Sequence, residues 1–186
     1  MLIKKPMVLC FAGPNGSGKS TITKFFDIVG IYTNADDFVA SSGISNEEAA
    51  KFLYEKRLAF IDEKVDFTFE TVLSSKYNMD LLRKAKDNGY FIKCIFVLTS
   101  NPDINIVRVN SRVETGGHDV NHEKIVNRYK KSVGNIKELL TICDILHVYD
   151  NSGDFPKRIV RKHKEEDIII YPNEFWTEKQ IVDLIH

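Results

Sequence analysis

The sequence predicts a three-layer α/β fold, a mostly parallel sheet of five strands with helices on both faces. Three observations lead there. Short apolar runs alternate with stretches of helical periodicity, the pattern of parallel strands joined by helical crossovers. The first run, PMVLCFA at 6–12, carries no polar residue, as expected of a strand buried on both faces. A glycine-rich turn follows and opens directly into a helix, which places that turn at the carboxyl end of the strand, where such folds bind ligands.

The remaining elements follow in order. The helix starts over 20–26, and 31–34 is a short strand candidate. Ser45-Asn46-Glu47-Glu48 reads as a capped helix start, and Ala50, Leu53, Tyr54, Leu58 and Ile61 keep helical spacing to about Lys64. Residues 65–72 (VDFTFETV) read as the third strand. A helix over 77–88 stops at Gly89, a usual helix end. Residues 91–98 (FIKCIFVL) form the clearest strand, and 145–149 (ILHVY) the fifth. Between them, helices over 104–113 and 123–140 are joined by a Gly116-Gly117 break. The tail reads as a hairpin or edge strand over 158–171, then a helix over 174–185. The expected organisation is a core over 1–152, including a helical lid at about 104–131, with 153–186 as an extension of the same domain.

Composition narrows the function classes. A chain of 186 residues with 43% hydrophobic content suits one domain with a substantial core. Lys plus Arg (26) balances Asp plus Glu (26), which argues against a generic nucleic-acid binder. Cys10, Cys94 and Cys143 are too few and too scattered for a disulfide framework or zinc knuckle, so a reducing compartment, the cytoplasm, is expected. The start, MLIKKPMVLCFAGP, is too short in its apolar part for a membrane span and runs straight into the glycine turn, so it is read as neither a leader nor an anchor.

That turn carries the chemistry. Gly13-Pro14-Asn15-Gly16-Ser17-Gly18-Lys19-Ser20, then Thr21, fits G-x-x-x-x-G-K-[ST] in the setting the motif needs, after a strand and before a helix. The glycines let the backbone fold its N–H groups inward as an anion cradle, and the helix start adds positive potential. Lys19 reaches the β- and γ-phosphates, and the Ser20 hydroxyl coordinates Mg2+. The fold class thereby sharpens to a P-loop NTPase. There is no LSGGQ-like segment, no N-K-x-D base-reading motif, and too little chain for a hexameric motor. A small kinase remains, which needs a base near the acceptor hydroxyl, a substrate pocket and mobile arginines over the γ-phosphate.

Asn34-Ala35-Asp36-Asp37-Phe38 ends the second strand, beside the loop, where a carboxylate can take a proton from an incoming hydroxyl. Asp36 is the first candidate and Asp37 the second; the other use of either is to cap the next helix. Glu70 stands in the apolar strand FTFETV, where a carboxylate needs a partner, so it points into the site to hold a substrate hydroxyl or a magnesium-bound water, or else forms a structural ion pair. Thr71, Ser74 and Ser75 follow as candidate pocket residues. Arg108, Arg112 and Arg128 lie in a stretch with six Lys/Arg against three Asp/Glu from Arg108 to Lys131, a basic hinged hairpin suited to closing on polyphosphate. His118 and His122 are four apart, but without a third ligand they read as lid or turn residues rather than a zinc site. KRIVRKHK at 157–164 is followed at once by three acids and reads as a solvated hairpin face. Asp150 has three readings, a magnesium ligand, part of a loop touching the base together with Asn151, or a plain turn.

Taken together, AGPNGSGKST, NADDF, FETVLSS, RVNSRVETGGHDV followed by RY, and YDNS resemble the zeta toxin-like group of small P-loop kinases, in the right order over residues 7–152. The resemblance implies a parallel sheet ordered 2-3-1-4-5 and transfer of phosphate from ATP or GTP to a sugar hydroxyl of UDP-N-acetylglucosamine. It implies Asp36 as the catalytic aspartate, Glu70 as the substrate-holding glutamate, and a small antitoxin protein as partner. Asn34 departs from the group, which usually carries an additional acid there. The alternative is an ATP-binding or ATP-hydrolysing regulatory or toxin–antitoxin partner protein without a small-molecule acceptor. A nucleic-acid 5′-hydroxyl kinase is disfavoured by the neutral charge, and no membrane partner is expected.

Overall fold

A computed structural model describes residues 4–114, 120–164 and 167–186. The chain runs β1 (Met7–Ala12), α1 (Lys19–Thr23), β2 (Ile31–Thr33), α2 (Ala35–Ser42), α3 (Asn46–Asp62), β3 (Phe67–Thr71), α4 (Lys76–Asp87), β4 (Phe91–Leu98), α5 (Pro102–Glu114), α6 (His122–Gly134), α7 (Ile136–Ile142), β5 (Ile145–Asp150), β6 (Lys157–His163), β7 (Ile169–Ile170) and α8 (Glu178–Ile185). The strands form one sheet in the order β2-β3-β1-β4-β5-β6-β7. The first five are parallel and stand in the expected 2-3-1-4-5 order. The expectation of five strands is too low: β6 and β7 add to the β5 edge as antiparallel strands. Their residues alternate with the pleat, and such strands need only a short hairpin to join an existing edge.

The sheet separates two apolar clusters. The larger contains Val8, Cys10 and Ala12 of β1, Leu146 and Val148 of β5, and residues of α3, α4, α7 and α8. The smaller, around Leu9, Phe11, Ile95 and Val97, is covered by Ile22, with Phe26, Val29 and Tyr149 packed against it. Cys10, Cys94 and Cys143 are buried free thiols. Among the described residues no helix is long and apolar enough to cross a membrane.

Local chemistry explains where the elements begin and end. Ser45 caps α3 through a reciprocal box with Glu48, as the sequence signature requires. Gly89, at φ +81°, ends the chain's run through α4. The single helix expected over 123–140 is two helices, because Gly134 and Asn135 interrupt it; the Asn135 side chain donates to the Leu73 carbonyl at 2.8 Å. The first helix is shorter than expected, ending at Thr23, because Phe26 must turn onto the sheet between Phe11 and Tyr149.

Candidate active site

The glycine loop sits between β1 and α1 and is held from outside. The Asn151 side chain donates to the Ser17 carbonyl at 2.8 Å, and the Asn105 side chain donates to the Asn15 carbonyl at 2.6 Å. With those carbonyls turned toward the protein, the amides of Lys19 and Ser20 at the start of α1, which have no partner within the helix, are left for a ligand. Gly18 has φ +92°, and a Cβ there would lie 2.1 Å from the Asn151 amide nitrogen; at Gly13 it would lie 2.0 Å from the Val97 carbonyl. Only glycine fits either place. Pro14 and Gly16 complete the turn, and the buried Ser17 hydroxyl has no hydrogen-bond partner.

Lys19 folds over this loop and donates to the carbonyls of Gly13 (2.8 Å) and Pro14 (3.1 Å). Burial pulls its pKa from 10.5 to about 8, against the opposing influence of the Glu70 and Asp36 carboxylates, and the Arg112 charge lowers it further. Glu70, Asp36 and Arg112 are thus among the charges that act on this ammonium group. Ser20 and Thr21 are exposed on the first turn of α1.

Asn34 settles the capping question at the end of β2. Its side chain accepts from the Asp36 amide at 3.0 Å and caps α2. The carboxylates of Asp36 and Asp37, both exposed in the first turn, are released from that duty. The Asp36 charge acts on Lys19 and the Asp37 charge on Tyr32. Glu70 accepts from the hydroxyls of Tyr32 (2.7 Å) and Thr23 (3.1 Å), so hydroxyls rather than a described salt bridge satisfy it. Burial first, and then the bond to Glu70, raise the Tyr32 pKa. Thr71 is drawn into the turn after β3, its hydroxyl oxygen accepting from Leu73 N and Asn78 Nδ2, both at 2.9 Å. Ser74 is half-buried in that turn and Ser75 is exposed.

Arg108 and Arg112 stand on α5 and Arg128 on α6. Arg128 donates to the Asn15 side chain at 3.3 Å. Arg108 is half-buried, and its Nη1 is a buried donor without a partner. His122 meets the Asn110 side chain at 3.1 Å, which ties α6 to α5. His118, with Gly116 and Gly117, lies outside the described residues. Among the described residues no group of three His, Cys, Asp or Glu side chains could hold a metal ion. Asp150, which is buried, takes the turn reading: its carboxylate accepts from the Ser152 amide (3.1 Å) and from Asn173 of the C-terminal segment (2.9 Å).

The model of one protein family, Zeta toxin, matches residues 30–159. The chain belongs to the zeta toxin family. The matched segment excludes the glycine loop, so the loop geometry is an independent sign of the same kinase-type fold. An uncharacterised protein of Haemophilus influenzae is 27% identical over 125 residues, covering 64% of this chain and 89% of that protein. A structure of the PezAT chromosomal toxin–antitoxin system of Streptococcus pneumoniae superposes with a TM-score of 0.60 at 19% identity, over 83% of this chain and 72% of that one. A structure of AvrRxo1-ORF1:AvrRxo1-ORF2 with ATP superposes with a TM-score of 0.69 at 13% identity, over 97% of this chain and 64% of that one. These likenesses show the fold, a P-loop kinase-type sheet.

Within this zeta toxin fold, some important residues carry no sequence signal. Asn105 is fully buried and sits 90 positions from the carbonyl it holds. Tyr32 and Thr23 are hydroxyls in ordinary surroundings, and nothing local marks them as partners of Glu70. Arg57 is buried in α3, donates to the Thr33 side chain at 2.9 Å and lies 4.6 Å from the Phe69 ring centre; burial lowers its pKa to about 10. Its only signal is a cation on the apolar face of a helix.

Proposed function

We propose that this protein transfers the terminal phosphoryl group of a nucleoside triphosphate, ATP first and GTP second, to a hydroxyl of a small molecule, with UDP-N-acetylglucosamine or a similar sugar nucleotide as the leading acceptor. The observation that carries the proposal is the first turn of α2. Asn34 does the capping, and Asp36 is left beside the loop, close enough to Lys19 for their charges to interact. Membership of the zeta toxin family supports it, as does the shared fold of a complex solved with ATP.

The chain's own groups divide the work. The loop from Gly13 through Thr21, by those of its amides that have no partner in the protein, and the Lys19 ammonium hold the phosphates. Asp36 accepts the proton of the acceptor hydroxyl as that oxygen forms a bond to the γ-phosphorus, and the bond to the bridging oxygen breaks so that the diphosphate leaves. Arg112 and Arg128 neutralise charge on the transferring group, replacing water with fixed donors. Glu70, fixed by Tyr32 and Thr23, orients the acceptor, with Arg108, Thr71, Ser74 and His118 as further acceptor contacts. Asn151 acts on the nucleotide through the loop it supports. Ser20, exposed on the first turn of α1 and next to Lys19 in the chain, is a hard oxygen donor that suits Mg2+ and would hold it; the bound ion would neutralise charge on the phosphates. We also assign a small antitoxin protein as partner, and the cytoplasm as compartment in keeping with three buried thiols.

The test is mass spectrometry of a metabolite extract incubated with the protein, ATP and Mg2+. One species should gain one phosphate. The Asp36→Asn variant should lose that product while binding ATP as the native protein does. Formation of ADP and phosphate alone would favour a regulatory NTP-binding protein instead, and labelling of an oligonucleotide would favour a nucleic-acid kinase.

A further inference from the structure

One buried cation has no part in holding phosphate and no counterion. The buried stripe of α3 runs Ala49, Leu53, Arg57, Phe60 and Ile61, and the arginine stands in the middle of it, 4% exposed. Arginine keeps its charge in proteins, and a buried charge is costly unless it is paired. Among the described residues Arg57 forms no ion pair. A methionine would fill much of the same apolar space without that cost. What the guanidinium adds is direction, because its donors lie in one rigid plane.

Those donors meet on one residue. Nε donates to the Thr33 hydroxyl oxygen at 2.9 Å, and Nη2 donates to the Thr33 carbonyl at 3.3 Å. The Thr33 hydroxyl in turn donates to the Thr68 carbonyl of β3 at 3.4 Å. Thr33, Phe69 and Cys10 are register neighbours across β2, β3 and β1, and the guanidinium lies over the Phe69 ring in the middle of that row. Thr33 ends β2, an edge strand of three residues. Asn34 follows as the cap of α2, and Asp36 stands in the first turn. α2 itself buries no residue. It also meets α3 through the stacked rings of Phe38 and Phe52, 4.9 Å apart, but Phe52 is 47% exposed. The first turn of α2 therefore takes its place from Thr33, and Thr33 is gripped by Arg57.

We infer that Arg57 is a positioning residue for Asp36: by holding both the side chain and the carbonyl of Thr33, it fixes the point where β2 gives way to α2, and so sets where the Asp36 carboxylate stands relative to Lys19. A small displacement matters there, because a shift of about 1 Å in a reacting group can cost ~100-fold in rate. The catalytic consequence rests on the phosphotransfer reading. The mechanical part, that Arg57 orders the first turn of α2, does not.

Arg57→Met and Thr33→Val, made singly and together in the full-length protein, test both parts. In Arg57→Met, kcat should fall by ~10-fold or more while the KM for ATP stays within about twofold of the native value. Hydrogen exchange gives a readout that needs no activity. The Phe38 amide donates to the Asn34 carbonyl at 3.1 Å, and its exchange in Arg57→Met should quicken by ~10-fold or more while the amides of β4 exchange as in the native protein. Thr33→Val should show part of both losses, and the double variant should lose less than the two single variants added together, since both disturb one contact. Native exchange at Phe38 in Arg57→Met would overturn the inference. So would equal quickening at Phe38 and in β4, which marks general destabilisation, or strictly additive losses in the double variant. If the native protein forms no phosphorylated product, the phosphotransfer reading falls, and exchange at Phe38 still decides whether Arg57 sets α2.

Discussion

Lys19 is a titrating group within reach of physiological conditions. With burial holding its pKa near 8, it loses its proton in the nucleotide-free protein as pH rises through that value, well before a free lysine would. Bound phosphates favour the charged form, so nucleotide binding should take up a proton between pH 8 and 10 and weaken as pH rises through that range. Calorimetry in two buffers of different ionisation enthalpy reads the uptake, and Lys19→Met should abolish it. The stability effect has the opposite sense. The unfolded chain keeps the lysine protonated to about pH 10.5, so this group makes the folded state less stable below pH 8, and that penalty fades as pH rises to 10.5. The melting temperature of the native protein should therefore gain on that of Lys19→Met across this window. At this scale the site was partly legible. The motif identified Lys19 and Ser20 because phosphate binding needs those groups at fixed spacing. Asn105 was illegible, because its partner is set by tertiary packing; Asn105→Ala should cost about 1–3 kcal/mol in denaturant unfolding and raise the KM for ATP, since it removes the donor to a loop carbonyl.

Element α2 shows how a cap can decide chemistry. The run ADDFVASS is weak as a helix, and the sequence offers Asp36 and Asp37 as natural caps. Asn34 takes that role because its side chain can reach the Asp36 amide from an extended backbone, φ −135°, ψ 131°. Asn34→Ala should lower stability by about 1 kcal/mol and reduce kcat with little change in ATP affinity, because the turn that carries Asp36 frays. Asn34→Asp, itself a good cap, should retain both, and an equal loss in the two variants would show that capping is not what Asn34 supplies. The strands were easier to read than the helices. Residues 91–98 are buried almost continuously, so their apolar run needs no tertiary information. The break between α6 and α7 is not legible in the sequence because apolar spacing continues through it, while the partner of Asn135, the Leu73 carbonyl, lies 62 residues away.

For the whole molecule, the C-terminal segment is the part whose purpose the sequence left open, and its packing supplies one. Trp176, Ile181, Leu184 and Ile185 lie in the same buried cluster as Ile142, Leu146 and Val148. Asn173 donates to the buried Asp150 carboxylate at 2.9 Å, and Asp150 adjoins Asn151, whose side chain supports the glycine loop. The segment and the nucleotide loop thus meet at the end of β5. A chain ending at Ser152 would expose the apolar side of β5 and leave a buried carboxylate without Asn173, so it should be insoluble or lack a cooperative unfolding transition. Trp176→Ala should be milder but still cost about 3–5 kcal/mol, the usual effect of emptying a large aromatic site. Asn173→Ala separates packing from support of the loop. It removes little apolar area, so a fall in ATP affinity larger than its effect on melting temperature would show that the C-terminal segment steadies the site through Asp150 and Asn151. Unchanged ATP affinity in a destabilised Asn173→Ala variant would confine the segment to completing the core.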